Sequence, residues 1–119
     1  MKTETKRTVA LCRKLEKHGA MTFAVVAQMH QAPGWPDRFI AYEGGIWVEF
    51  KGPKTKVSTL QRIIMQRLRE RGVSAIVLRF GTGETFRLET PEGKVCTVDL
   101  PLMPKTVLDT LRDSVQDGW

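Results

Sequence analysis

Cysteine and histidine are scarce, two of each in 119 residues. Cys12 and Cys96 stand far apart without metal-type spacing, and His18 and His30 do not complete a zinc pattern with them. Reduced, buried or half-buried thiols are expected, since a reducing compartment disfavours a disulfide. No apolar run approaches the ~20 residues of a membrane span. The N-terminus, MKTETKRTVALCRK, is charged throughout and lacks the apolar stretch of a secretory signal. Both absences predict a cytoplasmic protein with no membrane partner, in a bacterial cell or a phage-infected host. Repeats, low-complexity segments and linkers are missing too, and 119 residues suit one domain with one modest core. Acids are in short supply, 13 against 19 Lys and Arg, for a formal charge of +6. A basic surface favours polyanions and makes nucleic acid the first candidate partner.

Residues 4–18 carry Val9, Leu11, Cys12 and Leu15 as an apolar stripe, predicting a helix that Thr3 can cap and Gly19 can end. MTFAVVAQM reads as a strand and HQAPGWP as a loop. RFIAY and IWVEFK are the arms of a hairpin with EGG at its tip. GPKTKVS is a basic loop. Ser58, with Gln61 three residues on, has the pattern of a capping box. Leu60, Ile63, Ile64 and Leu68 give the helix that follows a buried face, with Arg62, Arg67, Arg69 and Arg71 outward and Gly72 at its end. SAIVLRF predicts a strand buried on both faces. Strand, helix and strand make a βαβ unit with a right-handed crossover and parallel strands. GTGETFRLET and PEGKVCTVDL form a second, weaker hairpin. Pro101 and Pro104 break the chain, and KTVLDTLRDSVQDGW closes it as a short amphipathic helix. The order is α-β-β-β-α-β, then β-β-α.

The first hairpin is unusual in its charges. Glu49 and Lys51 sit in its second arm among Ile46, Trp47, Val48 and Phe50, and Asp37 opens its first arm. Alternation puts Glu49 and Lys51 on one face, with Val48 and Phe50 on the other. A turn with an odd number of residues sets Asp37 across from Lys51 on that same face. A two-residue turn sends it to the other face unless a bulge re-aims it. YEGGI permits a three-residue loop with Gly at its left-handed position. Two carboxylates on one face repel, and a divalent cation removes the repulsion. Hard oxygen ligands completed by water suit Mg²⁺ or Mn²⁺. A cation so held polarises a phosphodiester and lowers the pKa of a bound water. A neighbouring lysine can position that water or offset charge developing on the phosphate. Taken singly, PD is an ordinary turn and ExK an ordinary cross-strand ion pair. Their fixed order, within this pattern of elements and just ahead of a basic helix, points to metal-assisted phosphodiester hydrolysis.

Pro36-Asp37 followed by Glu49-Phe50-Lys51 resembles the signature of the PD-(D/E)XK nuclease superfamily. GWPDRFI, GGIWVEFKGPKTKVSTLQ and LRERGVSAIVLR resemble, in order, segments of the VRR-NUC nuclease domain, over about residues 4–79. The resemblance implies a restriction-endonuclease-like α/β fold with a mixed sheet, its core at about 4–80 and a C-terminal β-hairpin and short helix at about 81–119. It implies that Asp37, Glu49 and the main-chain carbonyl of Phe50 bind Mg²⁺, that Glu4 joins them, and that Lys51 acts on the attacking water. Gln61 falls at the family's site glutamine, although the capping box alone accounts for it. Glu4 is equally accounted for by the helix dipole. Trp35 and Arg38, beside the acids, are candidate DNA contacts. Lys54, Lys56 and Arg62 are either phosphate contacts or solvated charges. Trp47 is expected to pack and His30 to lie at the surface. The strand FAVVAQM departs from the family in offering no polar residue before Gln28.

The implied function is a Mg²⁺-dependent, structure-selective DNA endonuclease, similar to Holliday junction resolvases and acting on branched DNA as a homodimer. The extra hairpin and C-terminal helix are candidate interface elements. The rival expectation is a non-catalytic or partner-dependent DNA-binding module of the same fold.

Overall fold

The computed structural model describes residues 4–25 and 34–119. Among them run α1 (Glu4–Lys17), β1 (Met21–Ala24), β2 (Arg38–Ala41), β3 (Gly45–Lys51), α2 (Thr59–Glu70), β4 (Ala75–Phe80), β5 (Thr85–Glu89), β6 (Leu100–Pro101) and α3 (Pro104–Asp117). This is the expected order of elements. The strands form one mixed sheet in chain order, with β3 and β4 parallel and the other neighbours antiparallel. The parallel pair follows from α2, whose length supplies the crossover that parallel strands require. Thr3, the second half of the MTFAVVAQM strand with Gln28, and His30 lie outside the described residues. No helix among the described residues is long and apolar enough to cross a membrane.

Alternation along β3 separates the two faces of the sheet. Val48 and Phe50 point to one side, joined by Ile40, Ile76, Leu78, Phe80, Phe86 and Leu88 from the neighbouring strands. Leu11, Cys12 and Leu15 of α1 and Val107, Leu108 and Leu111 of α3 close over them. Each fully buried large apolar side chain there contributes roughly 1.5–3 kcal/mol, so this side holds most of the driving force for folding. Burial pushes the Cys12 thiol up to about 11, and both cysteines are free.

The opposite side is covered by α2, over the middle of the sheet. Met65 is buried there against Ala75 and Val77, with Trp47, Val57 and Leu68 packed around them. The buried stripe of α2 is therefore rotated from the expected one: Leu60 and Ile63 are exposed, while Met65 is fully buried. At the β1 end, Met21 and Phe23 are also exposed.

The β2–β3 hairpin has the odd-numbered turn that the sequence permits. Ala41 pairs with Gly45, leaving Tyr42, Glu43 and Gly44 as the loop. Tyr42 N–H donates to Gly44 O at 2.8 Å, and Gly44 takes the left-handed side at φ 124°. The register differs from expectation. Continued one step past the Arg38–Val48 pair, it sets Asp37 against Glu49, not Lys51. Placing Asp37 against Lys51 would need a longer loop, and Gly45 already pairs because its missing side chain leaves room for the Phe39 ring.

The second hairpin is less regular than expected. Val95 bridges to Glu89 and Cys96 N–H donates to Leu88 O, but Leu88 N–H bonds the Thr97 hydroxyl at 3.1 Å where a ladder carbonyl would sit. The ladder breaks there and resumes only at β6. Pro101 is accommodated in β6 because that strand is at the sheet edge. Pro104 starts α3 instead of merely breaking the chain. That helix runs 14 residues, Pro104–Asp117, and is capped by Gly118 at φ 69°. Its apolar side is buried in the main core, so it is not left free as an interface face.

Candidate active site

Position on the α2 side of the sheet is set by the pleat. Glu49 and Lys51 face that way from β3, and Arg79 and Glu89 face it from β4 and β5. Glu49 is 2% exposed and Lys51 7%. Charges so buried need partners. One oxygen of Glu49, Oε2, lies 3.3 Å from Lys51 Nζ and accepts from Gln61 Nε2 at 2.9 Å. The other, Oε1, is buried and meets no side-chain partner among the described residues, while the Asp37 main-chain N–H lies close enough to the carboxylate to favour its charge. Asp37 Oδ2 accepts the Phe50 N–H at 2.9 Å, which fixes the Asp37 carboxylate beside Glu49.

This arrangement strains both acids. Burial, with the Asp37 charge next, pushes Glu49 from 4.5 up to about 7 against the pull of Lys51. Burial also raises Asp37, against the Phe50 N–H and Lys51 and with help from Glu4. Desolvation disfavours each anion and proximity disfavours the pair. A hard cation relieves both effects, and Glu49 Oε1 is a ligand oxygen that no described side chain engages. Asp37 and Glu49 therefore fit a divalent metal. Among the described residues no three of His, Cys, Asp or Glu gather at metal-binding distance, so main-chain carbonyl and water oxygens would fill the remaining positions.

Gln61 completes the capping box and reaches Glu49 through opposite ends of one amide. Its Oε1 accepts the Ser58 N–H at 3.0 Å, and its N–H donates to Ser58 Oγ at 3.1 Å, completing the capping box. Its Nε2 is then left to hold Glu49. Glu4, the first residue of α1, reaches across to the loop after β3. Its Oε2 accepts from Gly52 N–H and from the Thr55 hydroxyl, both at 2.9 Å. Glu4 also lines a cleft of about 200 Å³ with Thr8, Val25, Asp37 and Arg38.

Asp37, Glu49, Lys51 and Gln61 thus converge, with Glu4 and Arg38 in the adjoining cleft. Lys54, Lys56 and Arg62 are exposed, and the last two line a second cleft with Arg79 and Glu89. Trp35 stands apart from the acids' contacts. Its ring is edge-on to Trp47 at 5.5 Å, and Trp47 is edge-on to Phe39 at 5.1 Å, so the expected packing of Trp47 draws Trp35 in with it.

No family model and no curated protein matches the sequence. A solved structure does match over nearly the whole chain. It is Hjc from Archaeoglobus fulgidus, a Holliday junction resolvase from an archaeal hyperthermophile, with a TM-score of 0.57, 18% identity, and coverage of 92% of this chain and 99% of that one. The chain has a restriction-endonuclease-like fold. Coverage of 92% exceeds what residues 1–80 alone can supply, so part of β5 to α3 aligns with that structure too.

Two residues of the site's surroundings escaped the sequence reading. Arg79 Nη1 donates to Gly52 O and Thr55 O, both at 2.7 Å, and its Nε donates to both carboxylate oxygens of Glu89 at 2.9 and 3.0 Å. The available signal is an arginine interrupting the apolar run SAIVLRF and a glutamate in phase with Arg87 in TFRLE.

Proposed function

We propose that the protein is a Mg²⁺-dependent DNA endonuclease of the VRR-NUC type within the PD-(D/E)XK superfamily, acting on branched DNA. The observation that carries this reading is Glu49: a buried carboxylate beside Asp37, gripped on one oxygen by Lys51 and Gln61 and with no side-chain partner on the other among the described residues. The likeness in fold to a Holliday junction resolvase supports the choice of four-way junctions over flaps and simple ends.

Asp37, Glu49 and the Phe50 main-chain carbonyl would hold Mg²⁺, or Mn²⁺ in its place, and Glu4, which does not gather with them at metal-binding distance, would reach the ion only through water. When bound, the cation supplies Lewis-acid polarisation of the phosphodiester and relief of the carboxylate repulsion. Lys51 orients the attacking water and offsets the charge that builds on the phosphate as the water oxygen bonds to phosphorus and the leaving oxygen departs. Gln61 fixes the Glu49 carboxylate so that Oε1 keeps its direction. Arg38, Lys54, Lys56 and Arg62 bind backbone phosphates, which gives salt-sensitive affinity and reads shape rather than sequence. Trp35 borders the same surface.

Cutting two strands symmetrically needs two sites, hence a homodimer. The exposed Met21, Phe23, Trp35, Leu60 and Ile63 support this reading, because they leave an apolar region on the side of the sheet that carries the acids.

The deciding experiment incubates the protein with labelled four-way junction, flap, duplex and single-stranded DNA in Mg²⁺, Mn²⁺ or EDTA, beside Lys51→Ala. Metal-dependent cutting that Lys51→Ala loses is the expected result. Retained binding with no cutting would replace this reading with the non-catalytic or partner-dependent module.

A further inference from the structure

We infer that Glu89 and Arg79 are positioning residues that hold the loop between β3 and α2 in its working shape. The effect on cleavage rests on the hydrolytic reading above; the effect on the loop does not.

The loop GPKTKVS links Lys51 to the cap of α2. It carries Lys54 and Lys56 at the surface and ends at Ser58, whose capping box aims Gln61 at Glu49. Pro53 to Lys56 are exposed, so between buried Gly52 and the packed Val57 the loop has no burial of its own to fix it. It is held from two sides. Its Gly52 and Thr55 carbonyls converge on Arg79 Nη1, and its Gly52 N–H and Thr55 hydroxyl converge on Glu4 Oε2.

Arg79 can do this only because of Glu89. Lys51, Arg79 and Arg87 are directly paired across β3, β4 and β5, which lines up three cations on one face. Like charges opposite each other on neighbouring strands destabilise a sheet. Glu89, 4% exposed, takes Arg79 on both oxygens and Arg87 Nε on Oε2 at 2.7 Å. That clamp fixes the Arg79 guanidinium with Nη1 turned toward the loop. An unbroken series of contacts therefore runs from Glu89 through Arg79 and the loop to Glu4. It gives the C-terminal part of the chain a task at a site it does not touch.

The test uses the full chain with Glu89→Gln, Glu89→Asp and Arg79→Lys. The first readout is amide hydrogen exchange over residues 52–58 in EDTA, which needs no activity. Glu89→Gln and Arg79→Lys are expected to speed exchange there by about tenfold, with α1 and β4 unchanged, because local opening reports local contacts. Glu89→Asp keeps the charge and is expected to rescue most of the protection. The second readout is the Mg²⁺ concentration for half-maximal single-turnover cleavage. It should rise about 10-fold or more in the two disruptive variants, the usual range for losing a group that orients metal ligands. If Glu89→Gln does not fold, Arg79→Lys and Glu89→Asp carry the comparison. Folded variants with unchanged exchange over 52–58 would overturn the inference. A loosened loop in a protein whose parent cuts nothing would instead overturn the nuclease reading and leave this one standing.

Discussion

Replacing Glu49 with Gln should stabilise the metal-free protein at pH 8 and abolish cleavage at the same time. Glu49 is 2% exposed, one of its oxygens has no side-chain partner among the described residues, and its carboxyl is pushed from 4.5 to about 7. At 1.36 kcal/mol per pH unit, that displacement corresponds to about 3 kcal/mol. The sign follows from the direction. The folded chain holds this proton more tightly than the unfolded chain, so stability is unaffected below about pH 4.5, falls as pH rises toward 7, and is lowest above it. Glutamine carries no charge at any of these values and escapes the loss. That displacement is already net of the Lys51 attraction, so what returns part of the gain is the amide NH2, which would sit where Oε1 meets no side-chain partner among the described residues. The expected net effect at pH 8 is ~1–2 kcal/mol in favour of the variant, or roughly 3–8 °C in Tm. Urea unfolding in EDTA at pH 5, 6, 7 and 8 measures it, and the advantage should shrink steadily toward pH 5. Adding Mg²⁺ should stabilise the parent and not the variant. A variant that is less stable than the parent by the same amount at pH 5 and pH 8 would refute the reasoning, since Glu49 would then be an ordinary ion-pair partner.

Asp37→Ala leaves the Phe50 N–H without its acceptor; it should cost about 1–3 kcal/mol in urea unfolding and eliminate metal-dependent cutting. Gln61→Ala removes half of the capping box and the Glu49 contact together, and should cost ~0.5–2 kcal/mol along with most activity. Gln61→Glu should keep the helix by circular dichroism, because glutamate suits that cap position, yet still lose cleavage by setting another carboxylate against Glu49. Gly45→Ala drives a methyl group into the Phe39 ring and should lower stability by about 1–3 kcal/mol in thermal melts.

Much of this was legible in the residues because it depends on local spacing. Alternation along IWVEFK determines that Glu49 and Lys51 share a face whatever the rest of the chain does. Ser58 and Gln61 announce the start of α2 through contacts three residues apart. What the sequence hid depends on distant packing. The pairing partner of Asp37 was misplaced because it depends on where the loop closes, and Gly45 closes it early by accommodating Phe39. The buried stripe of α2 was misjudged because Leu60 and Ile63 have helical spacing yet stay exposed, while Met65 meets Val77. The second arm of the later hairpin was overestimated because Thr97 replaces a backbone acceptor with its own hydroxyl. Arg79 and Glu89 stand ten residues apart on neighbouring strands, and only the antiparallel turn between β4 and β5 brings them into contact.

The hairpin tip also constrains how such a chain can drift. Tyr42, Glu43 and Gly44 act as a counter for the strands they join. Inserting or deleting a single residue there would send Asp37 to the greasy underside of the sheet and leave Glu49 alone, even though the hairpin itself could still form. Changes by pairs would keep Asp37 on the right face but slide it along β3 toward or away from Lys51. A surface turn of this kind usually tolerates length variation freely. Here its length is tied to the spacing of two acids at the far end of the strands, so the tip should accept new residues hardly at all, and Gly44, at positive φ, should resist new side chains as well.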